Sequence, residues 1–207
     1  MPERPFHRPA RPGPALFEAL TGGEDPAARA EAATRLATLL VRGARTSEDA
    51  RTVARMVSLA DEHGLELLAE LWAGAPADSL AGALWRLYLL RTWVHRNPRL
   101  AAREYSRGRA HAPVQEIVAG VVDPPGPDEV CGMVDAVLRG VVTGDLAVTM
   151  ERAAAFAHIV SIGRAHDAEL RPDESLALVS TLSAARLADT AEQLQSAARE
   201  ERAGRLG

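Results

Sequence analysis

Apolar residues recur along this chain at the three- and four-residue spacing of helices, and the punctuation between them divides it into helices and almost nothing else. Pro26 sits at a first-turn position and opens a helix to about Val41, with Ala33, Leu36, Ala37 and Leu40 at core spacing and Gly43 as its stop. A shorter helix precedes it at Ala15 to Leu20. Ser47 can cap a helix with the stripe Ala50, Val53, Val57, Ala60, ending at Gly64. Residues Ala60 to Leu71 loosely resemble a helix-turn-helix. A reading helix needs cations or amides toward the groove, however, and Leu65 to Trp72 offers only Glu66 and Glu70, so a plain helical hairpin is the reading.

Asp78 or Ser79 caps the next helix, which runs to about His95 and is apolar nearly all round. Leu80, Leu84, Leu87, Tyr88 and Val94 share one face, while Trp85, Leu89 and Trp93 line the opposite one. Such a helix is central to a fold or half covered by a second subunit. Arg91 falls in the middle of the first face, where a guanidinium must be paired, either with an acid such as Asp135, Asp145 or Glu151 or with a ligand carboxylate or phosphate. Asn97-Pro98 then starts a helix to about Arg107, with Ala101, Ala102 and Tyr105 inward and Arg99, Arg103 and Arg107 on one outward stripe.

A short helix from Ala112 leads to the linker Asp123-Pro-Pro-Gly-Pro, an inter-helix turn or a boundary between two lobes near 123–127. Pro127, Asp128 and Glu129 open a helix to Arg139, in which Cys131 reads as a buried small hydrophobe. A helix from Asp145 to about Ile162 carries Glu151 and His158, which are about 10 Å apart in axial rise and too far for a direct hydrogen bond. The last helix runs from Pro172 or Asp173 to Arg202. Its stripe Leu176, Ser180, Ser183, Leu187, Thr190, Leu194 has heptad spacing but is only half apolar. It is expected to pack along the bundle for its first half and to project or fray thereafter. The fold class is all-α: a single-domain bundle of about eight helices over residues 15–207, with the Trp-rich helix central and a long C-terminal helix.

Composition changes the picture in three places. Residues 1–14 hold five prolines and three arginines, which forbid helix and read as a disordered or extended arm rather than a secretion signal. All 24 basic residues are arginine, which excludes a Schiff-base lysine and a phosphate-loop lysine. The single cysteine permits no intramolecular disulfide. Together with the lack of any apolar run near the roughly 18 residues a bilayer requires, these features point to the cytoplasm and to no membrane.

The sharpest change is at Leu84 to His111. This segment holds seven arginines, two tryptophans, both tyrosines and one acid, Glu104, a local charge of +6 in a chain of net −4. Such a reversal marks where a chain meets something anionic or meets itself. The candidate anion or partner residues are Arg96, Arg99, Arg103, Arg107 and Arg109, with aromatic contacts from Trp85, Trp93 and Tyr105. The leading expectation is a non-catalytic helical interaction protein whose segment 84–111 docks an acidic partner surface or another subunit, as in a homo-oligomer. A nucleic-acid-binding or regulatory protein with its arginine stripe on phosphates is the first alternative. A small-ligand binder anchored by buried Arg91 is the second.

Catalytic and metal chemistry find little support. There is no HExxH, ExxH, GxGxxG, GxSxG or Walker sequence. His63 with Glu66 and His166 with Glu169 fall at helix ends, where histidine complements the last carbonyls. No cofactor, metal or catalytic residue is expected.

Overall fold

The computed structural model describes residues 26–43, 51, 70–111, 127–128, 131–132, 145–170 and 172–207. Among them the chain is all-α, with no strand and five delimited helices: α1 (Pro26–Arg42), α2 (Leu80–Arg96), α3 (Pro98–His111), α4 (Leu146–Glu169) and α5 (Glu174–Arg202). The count differs from the eight expected. The arm 1–14, the helix at 15–20, the helix at 47–63 apart from residue 51, the segment 112–122, most of the linker 123–127 and most of the helix expected to Arg139, Asp135 included, lie outside the described residues.

Local signals set the helix ends. Ser79 Oγ accepts from Gly82 N at 3.1 Å to cap α2, and Leu80 N donates to Gly207 O at 2.8 Å. Asn97 closes α2 by donating to Trp93 O, while its own carbonyl accepts from Ala101 N at 2.9 Å in α3. The Asp145 carboxylate caps α4 through Ala147 N (2.8 Å) and Val148 N (3.2 Å). Gly43 ends α1 at a φ of +79°, the left-handed conformation that glycine adopts without steric cost.

The core is built by the stripes the sequence displays. Ala33, Leu36, Ala37 and Leu40 of α1 are buried beside Trp72, whose indole N–H donates to Ala33 O at 3.2 Å. Leu80, Leu84, Leu87, Tyr88 and Val94 bury one face of α2, which touches each of the other four helices. The most enclosed element is nevertheless α4. It continues past the expected stop near Ile162 to Glu169, because Gly163 serves a helix crossing and not a terminus. α4 is also long and apolar enough to cross a bilayer by length and composition, contrary to expectation, but 72% of its apolar window is buried inside the protein, as in a core helix.

α5 reverses the expectation for its two halves. Ala184, Ala191, Leu194, Ala197 and Ala198 are buried, whereas Leu176, Leu178, Val179 and Leu182 are exposed. Small side chains in the second half let it lie close along α4. Ion pairs then fix its end: Arg202 Nε and Nη2 each meet a Glu151 oxygen at 2.8 Å, and Arg42 of α1 pairs with Glu201. Glu151 is thereby engaged by Arg202. α4 and α5 run antiparallel, since Glu151 meets Arg202 at one end and Arg164 meets Ser183 nearer the other.

Candidate functional site

The basic segment places α3 against α4, and their crossing determines which arginines face outward. Ala101, Glu104, Tyr105 and Gly108 are the buried residues of α3, an i, i+3, i+4, i+7 stripe. Ala102, expected inward, is exposed, because Gly108 turns the contact face toward Glu104. A Cβ on Gly108 would lie 1.8 Å from Ile159 O, and one on Gly163 would lie 1.8 Å from Glu104 O. Only glycine permits that approach.

At this crossing the segment's one acid is consumed. Glu104 is 5% exposed and takes Arg164 of α4 in a forked pair, Nη2 to Oε2 at 2.8 Å and Nε to Oε2 at 3.1 Å. Arg164 Nη1 also donates to Ser183 Oγ of α5 at 2.8 Å, and its guanidinium carbon lies 4.8 Å from the Trp93 ring centroid. One cation thus joins α2, α3, α4 and α5 through charge, hydrogen bonds and a ring face. A second buried acid, Asp167, receives Arg107 and, at 3.4 Å, Arg103. The rings of His111 and His166 stack at 4.0 Å beside them.

The residues singled out in the sequence separate into groups. Arg96, Arg99, Arg103, Arg107 and Arg109 are all exposed, with Arg103 and Arg107 sharing one carboxylate. Arg86 turns toward α5, meeting Gln193 and donating to Gly82 O at 2.8 Å, and burial pushes its guanidinium below the usual arginine value. Arg91 is half-buried. Tyr105 stacks on Phe156 in the core at 5.4 Å, and Trp85 on Tyr88 at 5.7 Å. Trp93 is half-buried and borders two shallow clefts of about 210 and 230 Å³. Both clefts also share Arg164 and Ser183.

Arg164 and Asp167 escaped the sequence reading, and Ser183 entered it only as a member of the half-apolar stripe of the last helix. The signal for Arg164 was present: the spacing of Ala101, Glu104, Tyr105 and Gly108 turns Glu104 inward, and a buried carboxylate requires a cation from another helix. Among the described residues no group of three or more His, Cys, Asp and Glu side chains is placed to hold a metal ion. Ser183 Oγ accepts from the Arg164 guanidinium and is not set against a base in that bond. No family model, curated protein or solved structure matches this chain, so function is argued from the site.

Proposed function

We propose that this chain is a non-catalytic helical interaction protein, a single bundle working in the cytoplasm, whose outer α3 face docks an acidic protein surface. The supporting observation is the inward burial of Glu104 with Arg164, which removes the segment's acid from the surface while Arg96, Arg99, Arg103, Arg107 and Arg109 stay exposed, Arg103 and Arg107 of them on Asp167. A simply solvated face mixes signs, whereas the exposed Asp, Glu and Arg residues of α3 itself are all arginines. Guanidinium groups on a rigid helix are suited to carboxylates in pairs. Phosphate tracking along a strand fits less well, because two members of the Arg99, Arg103, Arg107 stripe are already held by Asp167.

The test is fluorescence anisotropy with labelled polyglutamate, single-stranded DNA and double-stranded DNA, at about 50 mM salt. Polyglutamate binding that weakens with salt and is lost in Arg96→Gln/Arg99→Gln/Arg109→Gln is the expected result. Binding of DNA in clear preference to polyglutamate would replace this reading with the nucleic-acid one.

A further inference from the structure

We propose that a second copy of this chain docks antiparallel on the first half of α5, through the ridge Glu174, Leu178, Leu182 and Arg186. All four residues are exposed and follow one another at i, i+4 spacing, so they form one continuous ridge about 18 Å long. Leu178 is 60% and Leu182 52% exposed, with Val179 at 64% beside them, although the same helix buries Leu194 completely. Large apolar side chains grouped in this way mark a contact surface more often than scattered single ones do.

The order of residues along the ridge identifies the occupant. A two-fold axis at the height of residue 180 sets Leu178 against the partner's Leu182 and Glu174 against the partner's Arg186, and each pairing occurs twice. Ridges of this spacing align when two helices cross at about 50°. Next to the ridge, Val179 comes to the level of the partner's Thr181 and Ser175 to that of the partner's Ala185, so no like charges are opposed. A uniformly acidic or basic partner would gain at one end of the ridge and lose at the other. A second copy satisfies both ends, which is the self-complementarity an isologous interface requires. This inference is independent of the proposed role of α3, whose outer face is a different surface.

Analytical ultracentrifugation of the full chain over a range of concentrations tests it. The wild type forms a dimer. Glu174→Arg and Arg186→Glu each create two like-charge pairs per dimer and weaken it by more than about tenfold, because opposed like charges are costly at an interface. An equimolar mixture of the two variants regains wild-type dimerisation, since each copy then supplies the charge the other lacks. Circular dichroism accompanies each sample, and if a charge variant loses helix, Leu182→Gln takes its place with the same loss of dimer expected. A wild type that stays monomeric throughout, a dimer indifferent to these substitutions, or a mixture that fails to restore association overturns the proposal.

Discussion

Gly108 of α3 and Gly163 of α4 stand at one contact, each at the place where a Cβ would collide with the carbonyl four residues upstream of the other: Ile159 O for Gly108, Glu104 O for Gly163, both at 1.8 Å. The reciprocity brings two helix backbones together without side chains between them. It also sets the depth at which Glu104 meets Arg164 and Asp167 meets Arg107. The packing detail and the electrostatics of the basic segment therefore have a common origin.

Either glycine replaced by alanine should destabilise the protein by about 3 kcal/mol, the upper part of the overpacking range, because the obstacle is backbone rather than a movable side chain. Since both methyls act on one contact, Gly108→Ala with Gly163→Ala should cost less than the sum of the single changes. Gly132→Ala is the control. Its Cβ meets nothing within 4 Å, and in a helix alanine gains about 0.5 to 1 kcal/mol over glycine. Urea denaturation of the four variants checks this. Equal stabilities for Gly132→Ala and Gly163→Ala would contradict the close approach.

Glu104→Ala leaves the Arg164 guanidinium among Trp93 and Ser183 without its carboxylate. Both side chains of the pair are largely enclosed, at 6% and 13% exposure, so a loss of about 3 to 5 kcal/mol is expected. Replacing both partners at once, with Glu104→Leu and Arg164→Met, should recover most of that loss because no charge is left stranded. A double variant as unstable as Glu104→Ala would show that the pair contributes more than charge balance.

Much of the fold was legible in the sequence because most helix ends are marked by local chemistry. Pro26, Ser79, Asn97-Pro98, Asp145 and Asp173 each act within a turn of themselves, and the ends of α1, α2 and α5 fall within a few residues of their expected places. Two ends were missed for a tertiary reason. Gly163 is a helix breaker by propensity, yet α4 runs through it because α3 needs the space, and α3 continues past Arg107 to His111 along the same contact. α5 was misread because its heptad stripe scores Leu176 as core and alanines as weak. Close packing against α4 favours the alanines, and Leu176 lies beyond the covered half. At the site, the arginines were visible, but Asp167 and Arg164 lie about 60 positions further along and no spacing rule connects them to α3.

The cap of α5 gives a pH prediction. The Asp173 carboxylate accepts from Ser175 Oγ at 2.7 Å, Leu176 N at 3.1 Å and Ser175 N at 2.9 Å, and these bonds, the Ser175 side chain first, hold it below the usual carboxylate value. A group whose pKa is depressed by folding stabilises fully above its unfolded pKa, about 3.9, and loses that effect as pH falls through the lower folded value. Asp173→Asn has no such titration. The gap in melting temperature between wild type and Asp173→Asn should therefore be constant at neutral pH and close on acidification below about pH 4. A gap of the same size at strongly acid pH would mean that the charge of Asp173 plays no part in the cap.

The arginine stripe of α3 separates into members with different duties. Arg99 is exposed and near the start of the helix, and Arg99→Gln should change stability by no more than about 0.5 kcal/mol. Arg103 and Arg107 also reach solvent, at 52% and 43% exposure, yet both converge on Asp167, which is only 8% exposed. Either cation alone can neutralise that carboxylate, so each single glutamine variant should cost less than about 1 kcal/mol, as expected for a half-exposed, solvent-screened pair. With both replaced, Asp167 is buried with neither cation, and the loss should exceed the sum of the singles, reaching about 2 kcal/mol. Adding Asp167→Asn to the double variant should restore much of it by removing the stranded charge. Thermal denaturation of the complete set measures the coupling directly. Strictly additive effects of Arg103→Gln and Arg107→Gln would show that they do not share Asp167, and would return both arginines to the outward stripe as independent docking groups.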